Sequence, residues 1–396
     1  MGRGSLTSAA LAGPVVAIYR TQILPLSETF VRDQALALRR WRPVLVGERE
    51  IEGLPLAGLL VAARHRGPPS LVQRLEGVIW RRFDRASPSL IAIIRRLQPR
   101  LIHAHFGFDG VEAWPVARRL GVPLLVTLHG SDITTRMQWF ADGRAGRRWK
   151  GYPSRLARLA MEEKVSFIAV SESIRDTAIA VGLPPRRIFV QPIGIDTRRF
   201  AQTSLPIAQR GRKILFLGRL VEKKGCIYLL EAFDRLRHQL PDAELIIAGD
   251  GPERPALTER AADMPGVRFL GAFSREQAQA LLAEARVFCL PSVTAESGDA
   301  EGLGLVILEA QASGVPVVTS ARGGATEGIR DGETGYAFAE RDVATLAERL
   351  TQLLTDDAVS TRFSAAGPGF VAERHDLHRR TAELETVYDR ITGLNP

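Results

Sequence analysis

Residues 286–320 read RVFCLPSVTAESGDAEGLGLVILEAQASGVPVVTS. An apolar run, RVFCLPS (286–292), stops at a Pro-Ser turn signal. A polar, glycine-containing loop, TAESGDAEGLG, leads into the helical stretch LVILEAQASG, and a second apolar run, PVVTS (316–320), closes the unit. Apolar runs this short, bounded by turn residues, suit strands buried on both faces of a sheet. A strand that reaches the next strand through a helix argues for a parallel pair.

The same grammar extends in both directions. KILFLG (213–218), a helical stretch over 225–239, AELIIAG (243–249), VRFLG (267–271) and GYAF (335–338) continue it. Upstream lie PVVAIYR (14–20), RPVLVG (42–47), RLIHAHF (100–106), PLLVTLHG (123–130), SFIAVS (166–171) and RIFVQPIG (187–194), with helical spacing in ETFVRDQALALRRW and GVEAWPVARRLG. The stretch AQTSLPIAQRG (201–211) is polar and aperiodic and reads as a linker. The expected architecture is therefore α/β, with two Rossmann-like domains facing a cleft, residues 1–205 and 206–375, and a C-terminal helix over 376–396. Ligands of such sheets sit beyond the carboxyl ends of the strands.

Size and composition agree. A chain of 396 residues with 45% hydrophobic and 24% charged residues builds more than one core and is not a disordered segment. No apolar run reaches the ~18 residues of a membrane span. The N-terminal stretch lacks the charged start and long apolar core of a secretory signal. Cys226 and Cys289 are the only cysteines, too few for a disulfide framework. A cytoplasmic protein is expected. Charge is divided unevenly: residues 1–205 carry 31 Lys and Arg against 16 Asp and Glu, whereas residues 206–396 carry 22 against 28. A basic half attracts polyanions or an anionic membrane; the alternative is an Arg-rich solvated surface. Residues 136–160, with Trp139, Phe140, Trp149 and Tyr152 among arginines, are the stretch whose composition suits a bilayer interface.

Three segments carry candidate chemistry. In GRLVEKKG (218–225), Gly218 and Arg219 end a strand and Lys224 opens the next helix, an arrangement able to hold a diphosphate. In SGDAEGLGLVILEA (297–310), Gly302 and Gly304 let a ligand approach a helix opening that favours anions. Glu301 precedes that helix and Glu309 lies inside it, in an apolar setting where a carboxylate needs partners. Structural alternatives are dipole pairing for Glu301 and a salt bridge for Glu309. In TLHGSD (127–132), His129 ends a strand and faces the expected cleft. His103 and His105 share one strand face, without a third metal ligand in the pattern.

Over 213–340, GRLVEKKG, IIAGDGPER, FLGAFS, LPSVTAESGDAEGLGLVILEA, SGVPVVTSARGGATEGI and DGETGYAF resemble, in order, the signature run of the retaining glycosyltransferases of the GT-B fold, family four. In the first half LSETFVRDQ, HAHFG, TLHGSDIT, VSESIRD and PIGIDTRRF are similar to the branch that builds colanic acid and amylovoran exopolysaccharides. The resemblance implies a metal-independent hexosyltransferase with no cofactor, a UDP- or GDP-sugar as donor, and a sugar or lipid-linked sugar as acceptor. It implies Arg219 and Lys224 on the diphosphate, Glu309 on the ribose, and Glu301 on the donor sugar. Backbone groups of Gly302, Leu303, Gly304 and Leu305 would lie near sugar and phosphates, and His129 near the reacting carbon. Gly249 belongs to the same donor set, as does Phe273, beside a base pocket near Gly271. Asp196 matches a structural hinge turn, and the C-terminal helix is expected to cross back to the first domain.

One departure stands out. Many members carry a Gly-Gly turn after the first strand; here that region is TQILPLSETF, with Ser27, Glu28 and Thr29 at an expected helix start. No nucleic-acid partner is expected; an anionic membrane surface at the inner face of the plasma membrane is. Two other readings stay open at this level: a nucleotide-sugar epimerase or phosphorylase on the same scaffold, and a non-catalytic polyanion-binding protein.

Overall fold

The structure, a computed structural model, describes residues 13–25, 28–200 and 205–394. It contains two compact units, residues 1–194 with 377–396, and residues 195–376. The 205–211 portion of the expected linker therefore falls within the second unit.

The strands of the first unit are β1 (Val15–Tyr19), β2 (Gln22–Ile23), β3 (Arg42–Glu50), β4 (Leu60–Arg66), β5 (Leu101–His105), β6 (Leu124–Leu128), β7 (Val165–Ala169) and β8 (Ile188–Val190). Its helices are α1 (Thr29–Ala37), α2 (Leu71–Arg82), α3 (Pro88–Arg96), α4 (Gly107–Leu120), α5 (Met137–Ala141), α6 (Tyr152–Met161) and α7 (Glu172–Ala180). The sheet order is β2-β3-β1-β5-β6-β7-β8, with β4 also on β3. Every pairing is parallel. Covered on both faces, β1, β5 and β6 are buried along their whole length, which is why β1 and β6 are mainly apolar without alternation, while the two buried histidines of β5 are hydrogen-bonded.

The second unit has β9 (Lys213–Leu217), β10 (Glu244–Ala248), β11 (Val267–Gly271), β12 (Val287–Leu290), β13 (Val317–Ser320) and β14 (Gly335–Phe338). Between and after them run α8 (Cys226–Leu236), α9 (Arg254–Arg260), α10 (Arg275–Glu284), α11 (Leu305–Ala312), α12 (Val343–Thr355) and α13 (Asp357–His375). The order β11-β10-β9-β12-β13-β14 is the doubly wound 3-2-1-4-5-6 pattern. The strand order reverses between β9 and β12 here and between β1 and β5 in the first unit. Those two points position the candidate residues.

A last helix, α14 (Leu377–Thr392), belongs to the first unit, as expected. Tyr388 and Leu384 are buried in the core that holds Trp41 and Leu45. The Glu385 carboxylate accepts the backbone N–H groups of Arg39, Arg40 and Trp41 at 2.7–2.9 Å. Asp389 accepts the Trp41 indole N–H at 2.8 Å. At the boundary, the Ile195 N–H donates to His375 O at 2.8 Å, and Asp196 pairs with Arg199 at 2.8 Å within its own turn.

Candidate active-site halves

In the second unit, the loops leaving β9 and β12 flank the point where the strand order reverses. They are stapled together. Lys224 Nζ lies 2.5 Å from Glu301 Oε2, and Lys223 Nζ lies 3.0 Å from Asp299 Oδ1. The Glu296 N–H donates to the Glu222 carboxylate at 2.9 Å, and the Val293 N–H to Lys223 O at 2.9 Å. The Lys224 and Glu301 side chains are only 14% and 12% exposed, so the pair is shielded from water. Burial pushes the Glu301 pKa up, but the Lys224 and Lys223 ammonium groups outweigh it and hold the carboxyl at about 2. Glu301 is thus a fixed anion at neutral pH, suited to accept hydroxyl hydrogen bonds and unsuited to donate a proton. Arg219 is exposed and pairs with no carboxylate among the described residues. Its fork is available to a ligand.

Three glycines form a bare backbone ledge at the ends of β9, β10 and β11. The Gly218 N–H donates to Ala248 O at 3.1 Å, and the Gly249 N–H to Gly271 O at 2.7 Å. A Cβ on Gly249 would lie 1.8 Å from Gly218 O, so no other residue fits there. Phe273 follows the ledge, half-buried. Across the crevice, Gly304 caps α11 in the left-handed conformation at φ 74°, with Gly302 and Leu303 buried before it and Leu305 opening the helix. The N–H groups of such a first turn have no partner inside the helix, which makes it a place for an anion. Glu309 is half-buried on the second turn of α11. The structure thus brings Lys224, Glu301 and Gly304 together at the switch point, with Gly218 beside the Lys224 side chain and Gly249 against Gly218.

In the first unit the corresponding point is occupied by Arg20, at the end of β1. Its guanidinium is buried and pairs with both Glu28 and Asp109, with Nε to Glu28 Oε2 at 2.8 Å. It also donates to His105 O at 2.7 Å. Burial raises the pKa of both carboxyls despite the cation. The helix start expected there is present, with α1 beginning at Thr29; Glu28 precedes it without a side-chain cap and faces Arg20 instead. Ser27 lies outside the described residues.

His129 follows β6. Its backbone is held by Asp132, whose carboxylate accepts the N–H groups of His129 at 3.1 Å, Gly130 at 2.9 Å and Gly107 at 2.7 Å. The ring stacks on His105, Nε2 to Nδ1 3.1 Å, and packs between Phe30 and Phe106. His103 uses both ring nitrogens, on Tyr388 Oη and Thr127 Oγ1, each at 2.7 Å. Burial lowers the pKa of all three imidazoles, His103 to about 3, and the Arg20 cation adds to it for His105 and His129. His129 is accordingly a neutral ring at neutral pH. Among the described residues no group of three or more His, Cys, Asp or Glu is placed to hold a metal ion.

Arg20, Asp109 and Asp132 escaped the sequence reading. The available signals were an Arg closing a wholly apolar strand and an Asp three residues after His129, both ambiguous without the fold. The aromatic stretch 136–160 is divided by the fold. Phe140 and Tyr152 are 2% and 1% exposed and cluster with Phe108 and Trp149, while Trp139 stacks under Arg144. Phe140 and Tyr152 are core, and Trp139 and Trp149 are half-buried.

Comparison with known proteins agrees with this geometry. Residues 211–356 match the family model described as Glycosyl transferases group 1, and residues 27–199 the one described as Glycosyltransferase Family 4. The chain is 32% identical over 298 residues to the glycogen synthase of Mycobacterium tuberculosis, covering 74% of this chain and 69% of the relative. It is 32% identical over 290 residues to the GDP-mannose-dependent alpha-(1-6)-phosphatidylinositol monomannoside mannosyltransferase of Mycolicibacterium smegmatis (68% and 71%). It is 30% identical over 293 residues to the amylovoran biosynthesis glycosyltransferase AmsK of Erwinia amylovora (72% and 69%). In fold it is similar to Anabaena HepE, solved with UDP and glucose, at TM-score 0.74 and 19% identity over 95% of this chain and 99% of that one. With both units matched and these relatives covered over more than two thirds of their length, the chain belongs to the group 1, family 4 glycosyltransferases, with the α/β architecture of GT-B proteins.

Proposed function

We propose that the protein transfers a hexose, with retention of anomeric configuration and without a metal, from a UDP- or GDP-sugar to a hydroxyl of a sugar or lipid-linked sugar acceptor, in the assembly of a bacterial polysaccharide or glycolipid. The observation that carries this reading is the shielded Lys224–Glu301 pair beside the opening of α11, with Arg219 exposed in the same loop and on no carboxylate among the described residues. Relatives whose names specify mannosyl transfer to a phosphatidylinositol mannoside and amylovoran synthesis support the acceptor class. HepE, solved with UDP and glucose, supports a nucleotide-sugar donor.

The residues then divide the work by chemistry. Arg219 and Lys224 take the diphosphate, a forked donor and a point charge. Glu301, already ionised, accepts hydroxyls of the sugar; Glu309 accepts those of the ribose. The ledge of Gly218 and Gly249, with Phe273 beyond it, admits the nucleotide, and the backbone from Gly302 to Leu305 meets sugar and phosphate. His129, neutral and oriented by His105 and Asp132, hydrogen-bonds the sugar. As the bond from the anomeric carbon to phosphate oxygen breaks, negative charge grows on the leaving diphosphate, and the cations and helix opening stabilise it. The acceptor oxygen attacks from the same side, and its proton passes to the leaving phosphate, so no protein nucleophile is required. The first unit takes the acceptor and the second the donor, in a cytoplasmic protein peripheral to the inner face of the plasma membrane.

A thermal-shift panel of UDP-, GDP- and ADP-sugars tests the donor claim, since a native-state ligand raises the melting temperature. One of the first two should shift it, and Lys224→Ala should abolish both shift and transfer. Wild-type transfer by Lys224→Ala would refute the assignment, and loss of transfer in EDTA would refute metal independence.

A further inference from the structure

Helix α2 is mounted the wrong way round for a core helix. Its inward residues are mainly polar. Gln73 Nε2 meets His65 Nδ1 at 2.9 Å, Glu76 meets Arg64 Nη2 at 2.5 Å, and Trp80 is half-buried. Its outward residues are Leu71, Val72, Leu75, Val78 and Ile79, between 51% and 77% exposed, with Phe83 at 66% just beyond its end. At about 100° per residue, the five helical positions fall within an arc of about 120°, opposite Gln73, Glu76 and Trp80, and Arg82 at the helix end is the one charged position in the same arc. Apolar side chains scattered singly on a surface are ordinary; a contiguous stripe of this size is not. No helix among the described residues is long and apolar enough to cross a membrane.

The surroundings of this stripe are cationic. Residues 64–96 contain eight Arg against Glu76 and Asp84 alone. Arg66, Arg74, Arg85, Arg95 and Arg96 are exposed. A cavity beside α2, which Val78 also lines, holds Arg49, Arg74, Arg85, Arg148 and Glu112, with Arg64 paired to Glu48 and Glu76. An apolar stripe flanked by arginines is the pattern of a helix lying in the plane of an anionic bilayer interface. A second copy of this chain fits less well, because apposing two such faces would bring like charges together.

We propose that α2 and Phe83 seat the first unit on an anionic phospholipid surface, with the apolar stripe in the headgroup boundary and the arginines on lipid phosphates. This moves the membrane contact from the 136–160 stretch to α2, and it rests only on the peripheral-membrane part of the proposed function. The test is vesicle flotation of the full chain, using phosphatidylcholine vesicles with and without phosphatidylglycerol, at low and high salt. Wild type should float with the anionic vesicles, at least about tenfold more than with neutral ones, and salt should weaken it. The variant Leu75→Glu/Ile79→Glu should lose flotation while keeping the wild-type circular dichroism and the wild-type nucleotide-sugar thermal shift. Failure of wild type to float at low salt would overturn the proposal, as would undiminished flotation of the variant. A wild-type dimer in light scattering that the variant dissolves would also overturn it. Flotation without any nucleotide-sugar shift would leave this inference standing and sink the donor assignment.

Discussion

Replacing Lys224 with Met keeps most of the side-chain volume and removes the charge that holds Glu301 ionised. In the native protein the Glu301 pKa is about 2 against an ordinary value of 4.5. At about 1.36 kcal/mol per pH unit this gap is worth about 3 kcal/mol of stability. The sign follows from the depressed value: the contribution is complete above pH 4.5 and is lost as pH falls through about 2. Lys224 is the larger of the two cationic influences, so Lys224→Met should cost about 2–3 kcal/mol at pH 7, the scale of a buried pair broken on one side. Such a loss lowers the melting temperature by roughly 4–12 °C for a domain of this size. Because the cost is an unpaired carboxylate, Lys224→Met/Glu301→Gln should recover most of it. The deficit of the single variant should also shrink on acidification below pH 4.5, as its Glu301 protonates. Thermal unfolding by circular dichroism between pH 3 and 8 reads both effects. A pH-independent deficit, or strictly additive losses in the double variant, would refute the reasoning.

Arg20→Met strands Glu28 and Asp109, and should destabilise the first unit by about 3–5 kcal/mol at neutral pH. Both carboxyls already have raised pKa values, so the variant's deficit should diminish toward acid pH; denaturant midpoints across pH check this. Glu385→Ala removes the acceptor for three backbone N–H groups and should release the amides of Arg39, Arg40 and Trp41 to fast hydrogen exchange, at a cost of about 2–4 kcal/mol. Gly249→Ala drives a Cβ into Gly218 O and should abolish the nucleotide-sugar thermal shift. Gly121→Ala, left-handed but with open space around it, should cost only about 1 kcal/mol.

The central strands of both sheets were legible because they are buried on both faces and therefore mainly apolar. The edge pieces were not: β2 has two residues, and β4 (LVAARHR) is only partly buried, its apolar start giving way to charged residues. In the second unit, Lys224, Glu301 and Gly304 could be picked out because each lies directly beyond a strand end or helix opening, where position along the chain predicts position in space. Arg20 could not, since its partners Glu28 and Asp109 come from different elements. Glu28 stood at an expected helix start, and its pairing became visible only when the fold set Arg20 against it.

The sequence by itself determined the alternation of strand and helix, the two-unit plan, the family, and the loop residues that gather at the carboxyl ends of β9 and β12. These follow from local periodicity and from motifs a few residues long. Tertiary structure decided what each charge faces and which apolar side chains remain outside. It set Glu301 against two lysines as a permanent anion, turned Phe140 and Tyr152 into the core, and left the stripe of α2 exposed. The reason is physical: ionisation and burial depend on neighbours brought together across the sheet, and a helical period defines a face without saying which way that face turns.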